Sequence, residues 1–357
     1  MSKLLLHLRS IYQETPYARR LIKRKRIEKC SDIRNAYELI DKFLGHELSE
    51  QERNAVAADM TRMFEKYGYT FDDYFYYSFP GKTEEERLGY LSEFERDEIV
   101  THLNKAYNRP LFDDKALTYE KYKPYYKRDL IGLDGGKKDL KKLRDFLEKY
   151  QRIIIKPRGG AGGDGVHILD KADMGDDIDA VLLSELTGAR KYGLVAEELI
   201  DQDERMASFH PGSVNCIRIS TVRLNDRVET FHSFVKIGMG DTAVDNMNHG
   251  GFLAAIDEAT GVIVNARDDM GKSYTVHPES GVQMVGFTVP HWPEALALAK
   301  ELAMITPSNR WTGWDLALSK DGMVMVEGNA RGQFRGSRDD LRELLKEIGE
   351  EKLLPER

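Results

Sequence analysis

The sequence predicts an α+β protein with a helical N-terminal region, and three observations carry that expectation. Apolar residues recur at helical spacing through much of residues 1–150. From residue 152 onward, short runs rich in β-branched and aromatic residues alternate with turn residues, which marks strands. Residues 311–329 (WTGWDLALSKDGMVMVEGN) hold two alternating apolar runs around Lys320-Asp321-Gly322, the pattern of a β-hairpin.

Taken in order, the spacing predicts helices over 33–44, 50–67, 84–105, 115–126 and 137–150. Ser49-Glu50-Gln51-Glu52 and Thr83-Glu84-Glu85-Glu86 supply helix starts: the hydroxyl caps the third helical N–H, and the glutamate reaches back to the cap. The basic run 19–26 (RRLIKRKR) reads as a solvated helix face, with contact to anionic lipid or an acidic partner as the alternative. The aromatic tract 71–79 (FDDYFYYSF) is expected to pack the helical region, and 132–136 (GLDGG) reads as a loop. Strands are expected over 152–156, 166–169, 194–199, 216–224, 228–237, 252–256 and 262–266. A helix over 291–304, the hairpin and a last helix at about 338–349 complete the chain.

At 357 residues the chain is long for one core, and 41% apolar content suffices to bury a sizeable one. A net charge of −7 argues against a general nucleic-acid binder. Cys30 and Cys216 lie far apart, so neither a disulfide framework nor a zinc site is indicated. No stretch approaches the ~20 apolar residues of a membrane span, and the N-terminus has no apolar run of signal length. A cytoplasmic enzyme is the expectation, and a homodimer rests on base rates alone.

Two segments carry chemistry. With the hairpin turn centred on Asp321, Asp315 falls opposite Glu327, Leu316 and Leu318 face Val326 and Val324, and Asn329 shares the polar face. Like charges directly opposite repel. A cation between them relieves this, and oxygen-only ligands suit Mg²⁺ held jointly with phosphates; a solvated polar face is the alternative. The second segment, 152–165 (RIIIKPRGGAGGDG), runs a β-branched strand into Lys156 and then a loop with Gly159, Gly160, Gly162, Gly163 and Gly165. Glycines let backbone N–H groups approach an anion, and the lysine adds a point charge. Residues 160–165 match G-x-G-x-x-G, but 166–169 (VHIL) reads as a strand where that motif opens a helix. A strand–loop–strand flap over phosphates fits better.

The order of these pieces over about 110–335 resembles the ATP-grasp superfamily, in which two α+β subdomains grip ATP. The nearest resemblance is to the sugar-transfer-associated ATP-grasp group, related to α-L-glutamate ligases. It rests on Asp114-Lys115 and the runs HPGSVNCIRI (210–219) and VDNMNHGGFLAAID (244–257), while the twelve-residue Asp315–Glu327 spacing with Asn329 two further on looks like that of ribosomal-protein glutamate ligases. YLSEFERDEI (90–99) also looks like that group. The resemblance implies a helical domain over 1–110, a central subdomain with the flap over 111–200, and a C-terminal subdomain with the metal site over 201–357.

It also implies residue roles. Lys115 and Lys156 look like the two phosphate lysines, with the flap closing over the β- and γ-phosphates. Glu197-Glu198-Leu199-Ile200 looks like the hinge that meets adenine through a carboxylate or carbonyl and backbone N–H groups. Glu204, seven residues after Glu197, and Asn215 are alternatives for the ribose contact. If Asn225-Asp226 makes a tight turn, Asn215 faces Lys236 across the ladder while Arg218 points away. Arg218 is therefore the weaker phosphate partner of the three, and a structural salt bridge is its alternative. Asn246 and His249, in a polar loop ending in Gly250-Gly251, would border the γ-phosphate and acceptor. Arg331 and Arg335 carry guanidinium forks suited to a carboxylate or phosphate acceptor.

The implied cofactors are ATP and two Mg²⁺ ions, with Mn²⁺ as an alternative, on Asp315, Glu327 and Asn329. The implied partners are a small-molecule carboxylate and an amine cosubstrate. The chemistry is phosphoryl transfer to the carboxylate, then capture of the acylphosphate by the amine. A polysaccharide or peptide-conjugate role rests on the resemblance alone. An ATP-grasp kinase and a non-catalytic nucleotide-binding module of a glycan assembly machine are the competing readings. There is no convincing Ser–His–Asp or Cys–His set, and Cys216 in a strand reads as a small apolar residue.

Overall fold

The computed structural model of the chain describes residues 8, 12, 15–45, 47–160, 162–245, 249–332, 334 and 336–356. Its first part is helical: α1 (Pro16–Ser31), α2 (Ile33–Leu44), α3 (Glu50–Tyr67), α4 (Phe71–Tyr76), α5 (Glu84–Leu88) and α6 (Glu93–Leu103). Ser49 and Thr83 form the expected capping boxes. The helix expected over 84–105 breaks between Leu88 and Glu93, because Ser92 starts a helix of its own with Glu95 closing its box. The aromatic tract packs as expected: Tyr74, Phe75, Tyr77 and Phe79 are buried with Ile40, Met60 and Met63. The basic run 19–26 lies on α1, where Lys23 pairs with Glu98 and Arg24 with Glu28 at the surface.

After α7 (Arg109–Asp113) and α8 (Lys115–Tyr126) comes a small antiparallel sheet in the order β1-β4-β2-β3. It comprises β1 (Leu130–Leu133), β2 (Arg152–Pro157), β3 (His167–Asp170) and β4 (Leu194–Glu198), with α9 (Lys137–Tyr150) and α10 (Ile178–Tyr192) on one face. Two elements here depart from expectation. β1 occupies the start of the segment read as a loop. Its four residues are too few for a period to show, and Gly132 serves close packing, since a Cβ there would lie 3.1 Å from that of Ala116. α10 was not foreseen, although Leu182, Leu186 and Ala189 repeat at helical spacing and bury against Leu143, Phe146 and Leu147.

The large sheet runs β11-β10-β5-β6-β7-β8-β9, with every neighbouring pair antiparallel. Its strands are β5 (Ile217–Arg223), β6 (Val228–Ile237), β7 (Phe252–Ile256), β8 (Ile263–Arg267), β9 (Ser273–Tyr274), β10 (Trp311–Ser319) and β11 (Gly322–Asn329). α12 (Trp292–Ile305) covers one face, where Ile217, Ile219, Val235, Trp314 and Leu316 meet Ala295, Ala299 and Leu302. The opposite face is covered at one end by α6 and α13 (Arg338–Glu347), through Ile99, Val100, Leu103, Leu341 and Leu345 against Val222, Trp311 and Phe334. Alternation puts Arg218 and Asp315 on that same face. Among the described residues, no helix is long and apolar enough to cross a membrane.

The hairpin pairs Asp315 with Glu327 as expected, by a different route. The turn residues are Lys320 and Asp321, inside a Ser319–Gly322 pair. That shorter turn moves the register by one, and a bulge beside Asp315 moves it back. Leu316 and Leu318 therefore face Met325 and Met323, not Val326 and Val324.

Candidate active site

The site grows from the open end of the large sheet. Asp315 is 4% exposed. Arg218 donates to both its oxygens, Nε to Oδ1 at 2.5 Å and Nη2 to Oδ2 at 2.9 Å. Lys236 Nζ donates to Oδ2 at 3.2 Å. Burial alone would raise the Asp315 pKa, but Arg218 and then Lys236 outweigh it and hold the carboxyl at about 2. Burial likewise pulls the Lys236 ammonium down, yet Asp245 and Asp315 leave it well above the usual lysine range.

This cluster corrects the expected pairing of β5 with β6. The Asn225-Asp226 turn forms, and Arg223 pairs with Val228. A bulge then intervenes where His232 takes φ +51°, and the ladder slips by one residue. Lys236 consequently pairs with Cys216, its N–H donating to the Cys216 carbonyl at 2.7 Å. Arg218 turns toward Lys236, and both converge on Asp315. Asn215 is fully buried and occupied elsewhere. Its amide nitrogen donates to the Met206 and His210 carbonyls and to Gln202, and its oxygen accepts from Gly238 N–H. Asn215 is thus engaged as a clasp on the segments around it. Glu204 stands exposed at the start of the short helix Glu204–Ala207. The Cys216 thiol is pushed up by burial and then by Asp245, in keeping with a small inert residue.

The flap joins β2 to β3, and Gly160, Gly162, Gly163 and Gly165 all adopt positive φ. Its root is Arg158, 1% exposed, with Nε on Asp114 Oδ1 at 2.7 Å and Nη1 on Asp134 Oδ1 at 2.8 Å. The same Asp114 oxygen caps α8 by accepting from Ala116 and Leu117 N–H. Lys115, the next residue, donates its N–H to the Arg158 carbonyl and its Nζ to the Gly160 carbonyl at 3.2 Å. That Nζ also lies 3.9 Å from Glu327 Oε1, so one lysine spans flap and hairpin. At the flap tip, Asp164 reaches His249 at 3.6 Å, and a Cβ on Gly163 would lie 3.3 Å from Val244. Asn246 and Arg335 lie outside the described residues.

Lys156 donates to Glu197 Oε2 at 2.9 Å, and Arg128 donates to the same oxygen through Nε and Nη2. Burial would raise the Glu197 pKa; Lys156 and Arg128 hold it at about 2 instead. Glu198 faces the other way and accepts from Asp129 N–H. Of these two glutamates, Glu197 is the one that pairs with Lys156. Ile200 follows the strand half-buried, and the chain then ties to the hairpin through Lys320 N–H on the Asp201 carbonyl and Asp203 N–H on the Leu318 carbonyl. The Arg331 guanidinium pairs with Asp97 at 3.2 Å and reaches Thr101, both on α6, so it ties the end of the hairpin to the helical part.

Asp315, Glu327 and Asn329 come together on the hairpin, since Asn329 pairs with Gly313 two residues before Asp315. The Asn329 amide nitrogen is buried without a hydrogen-bond partner, and turning the amide over would present its oxygen there. No group of three His, Cys, Asp or Glu suited to a metal occurs among the described residues. Two carboxylates and an amide form a hard, oxygen-only donor set, which fits Mg²⁺ and not zinc. Sequence reasoning missed Arg158, Arg128 and Asp245 as site-builders. Arg158 and Asp245 lie inside the segments it quoted, whereas nothing local marks Arg128.

A family model described as sugar-transfer associated ATP-grasp matches residues 95–338. No curated protein matches the chain. Similar solved structures include D-alanyl-alanine synthetase A from Vibrio cholerae O1 biovar eltor, at 9% identity and TM-score 0.39 over 62% of this chain and 56% of that one. D-cycloserine synthetase DcsG shares 12% identity at TM-score 0.41 over 68% and 71%. N5-carboxyaminoimidazole synthetase from Staphylococcus aureus, complexed with ADP, shares 12% at TM-score 0.40 over 64% and 48%. The chain therefore spans about half the length of the first and third of these.

Proposed function

The chain belongs to the sugar-transfer-associated ATP-grasp family, and from that premise we propose that it is an ATP- and Mg²⁺-dependent carboxylate–amine ligase. On this reading it works through an acylphosphate, acts in the cytoplasm and serves cell-surface polysaccharide or peptide-conjugate synthesis. The observation that carries the proposal is the Asp315–Glu327 pair beneath Lys115, which also reaches the flap carbonyl of Gly160.

ATP lies between the two sheets. The adenine amino group meets Glu197 Oε1, since Arg128 and Lys156 both bind the other oxygen, Oε2. Backbone groups at Leu199 and Ile200 meet the ring, and Glu204 takes the ribose. Lys115, Lys156 and the flap N–H groups hold the phosphates. Lys156 can turn to a phosphate without stranding Glu197, because Arg128 stays bound to it. Asp315, Glu327 and Asn329 would hold Mg²⁺ (or Mn²⁺), which supplies neutralisation of phosphate charge.

The acceptor carboxylate oxygen attacks the γ-phosphorus, the bond to the bridging oxygen breaks and ADP leaves. An amine then attacks the acyl carbon and releases phosphate and a proton. The chain's own contribution is orientation and exclusion of water, through the flap and its contact with His249. The helical part and variable loops supply acceptor contacts, and the divisions at 110 and 200 belong to the same proposal.

The test is ATP turnover with Mg²⁺ against a panel of amino acids, amines and sugar acids, with ADP and phosphate followed separately. Phosphate release that requires both a carboxylate and an amine supports the ligase. ADP without free phosphate points to the kinase. Turnover unchanged in Asp315→Asn would sink the metal assignment and the catalytic reading together.

A further inference from the structure

Lys236 is held between two buried carboxylates. Its Nζ lies 3.2 Å from Asp315 Oδ2 and 3.4 Å from Asp245 Oδ1. Asp315 and Asp245 are 4% and 8% exposed. Asp245 has no place in the division of labour above, yet it is firmly set. Its other oxygen accepts from Cys216 N–H at 2.9 Å, and the Cys216 carbonyl accepts from Lys236 N–H at 2.7 Å. Asp245, Cys216 and Lys236 thus close a small ring of contacts between β5, β6 and the connection that follows β6.

That connection is clasped at its start from three sides. Asn215 accepts from Gly238 N–H at 3.1 Å. His277 Nε2 meets the Gly238 carbonyl at 3.0 Å, and His210 Nε2 meets the Gly240 carbonyl at 2.7 Å. Gly238 and Gly212 permit the fit, because a Cβ on either would lie within 3 Å of the His210 ring. The HPGSVNC run therefore acts by fixing the approach to Asp245, which no ligand contact required of it.

We propose that Asp245 is a positioning residue that keeps Lys236 from competing with a divalent cation for Asp315. A cation on Asp315 shares that carboxylate with a buried ammonium, and the two repel in a poorly screened setting. Asp245 supplies negative charge on the far side of Lys236 and gives the ammonium a partner when Asp315 is taken up. Without that charge, Lys236 has Asp315 alone and holds it against the metal. The inference rests on the metal site proposed above and goes beyond it, because it assigns metal affinity to a residue that touches no metal.

The experiment is Mn²⁺ binding by calorimetry and electron paramagnetic resonance, with a non-hydrolysable ATP analogue, on the full chain. Asp245→Asn keeps the side chain's shape and its acceptor for Cys216 N–H. It should weaken Mn²⁺ binding roughly tenfold or more, the usual effect of losing a residue that tunes a ligand. Adding Lys236→Met should recover most of that affinity, because the ammonium that lost its second carboxylate is gone, while Arg218 binds Asp315 alike in every variant. A purely structural role for Asp245 predicts no recovery, and circular dichroism with thermal melts checks that each variant is folded. Unchanged binding in Asp245→Asn, or a double variant no better than the single, overturns the inference while leaving the ligase reading intact. Absence of Mn²⁺ binding in the unsubstituted protein overturns the metal site itself and the inference with it.

Discussion

Arg158 and Asp114 meet at 2.7 Å in the interior, and this one contact joins the root of the flap to the start of the helix that carries Lys115. Asp114 serves two partners with one oxygen, the guanidinium and the first N–H groups of α8. The spacing between Lys115 and the flap is therefore set by a buried ion pair and not by a loop. Asp114→Ala removes a helix cap, worth about 1 kcal/mol. It also leaves a buried guanidinium with exposed Asp134 as its one remaining counter-ion among the described residues, and losing one partner of a buried pair costs about 3–5 kcal/mol. The expected outcome is a loss of about 3–5 kcal/mol in urea unfolding; a loss below about 1 kcal/mol would show that the pair does not hold the flap root.

The two buried ion clusters fix how the protein responds to acid. The carboxyls of Asp315 and Glu197 are both held at about 2, below their ordinary values of 3.8 and 4.5. A group depressed on folding contributes stability that is fully present above its unfolded pKa and lost as pH falls through its folded pKa. Their share should therefore be constant above about pH 5 and disappear between about pH 4.5 and pH 2. Unfolding free energy measured across that window should fall less steeply for Asp315→Asn and for Glu197→Gln. Slopes identical to the unsubstituted protein would remove the ion pairs as the cause.

Asn104, just past α6, grips the hairpin at both ends. Its amide donates to the Trp311 carbonyl at 3.0 Å and the Ala330 carbonyl at 2.6 Å, and its oxygen accepts from Trp311 N–H at 2.9 Å. Trp311 opens β10 and Ala330 follows β11, so the clamp closes the end of the hairpin that presents Asn329. Asn104→Ala strands buried backbone groups, at a cost of about 1–3 kcal/mol. Asn104→Asp loses the donors and sets a carboxylate oxygen against the two carbonyls. Both should weaken Mn²⁺ binding along with stability, and a stability loss with unchanged Mn²⁺ binding would separate the clamp from the site.

What the sequence made legible followed from patterns that survive without tertiary context. The glycine flap and the capping boxes at Ser49 and Thr83 are set by local spacing, whereas Asp315 meets Glu327 only because a shorter turn and a bulge cancel. What it hid were one-residue events. The bulge at His232 shifted Lys236 from Asn215 to Cys216; the short Lys320-Asp321 turn moved Leu316 from Val326 to Met325, and the bulge beside Asp315 then restored the Asp315–Glu327 pair. A single inserted residue leaves the alternation of each flanking run intact, so no pattern reports it. The tie of Arg331 to α6 was hidden for a related reason. Its partner Asp97 lies far away in sequence, on a helix whose packing against the large sheet has no local signature.

The flap tip gives the last prediction. Gly163 has φ +84°, and a Cβ there would lie 3.3 Å from three carbons of Val244. Gly163→Ala thus meets both a left-handed backbone, costing of order 1 kcal/mol, and a neighbour that must yield. The flap is partly exposed and glycine-rich, so it can relieve both by lifting away from Val244 and His249 instead of unfolding. The global melting temperature should then stay nearly unchanged, while KM for ATP rises severalfold. Limited proteolysis should also find the flap easier to cut when nucleotide is bound than in the unsubstituted protein. A lowered melting temperature with unaltered KM would mean that the Gly163–Val244 contact serves the fold and not closure over the phosphates.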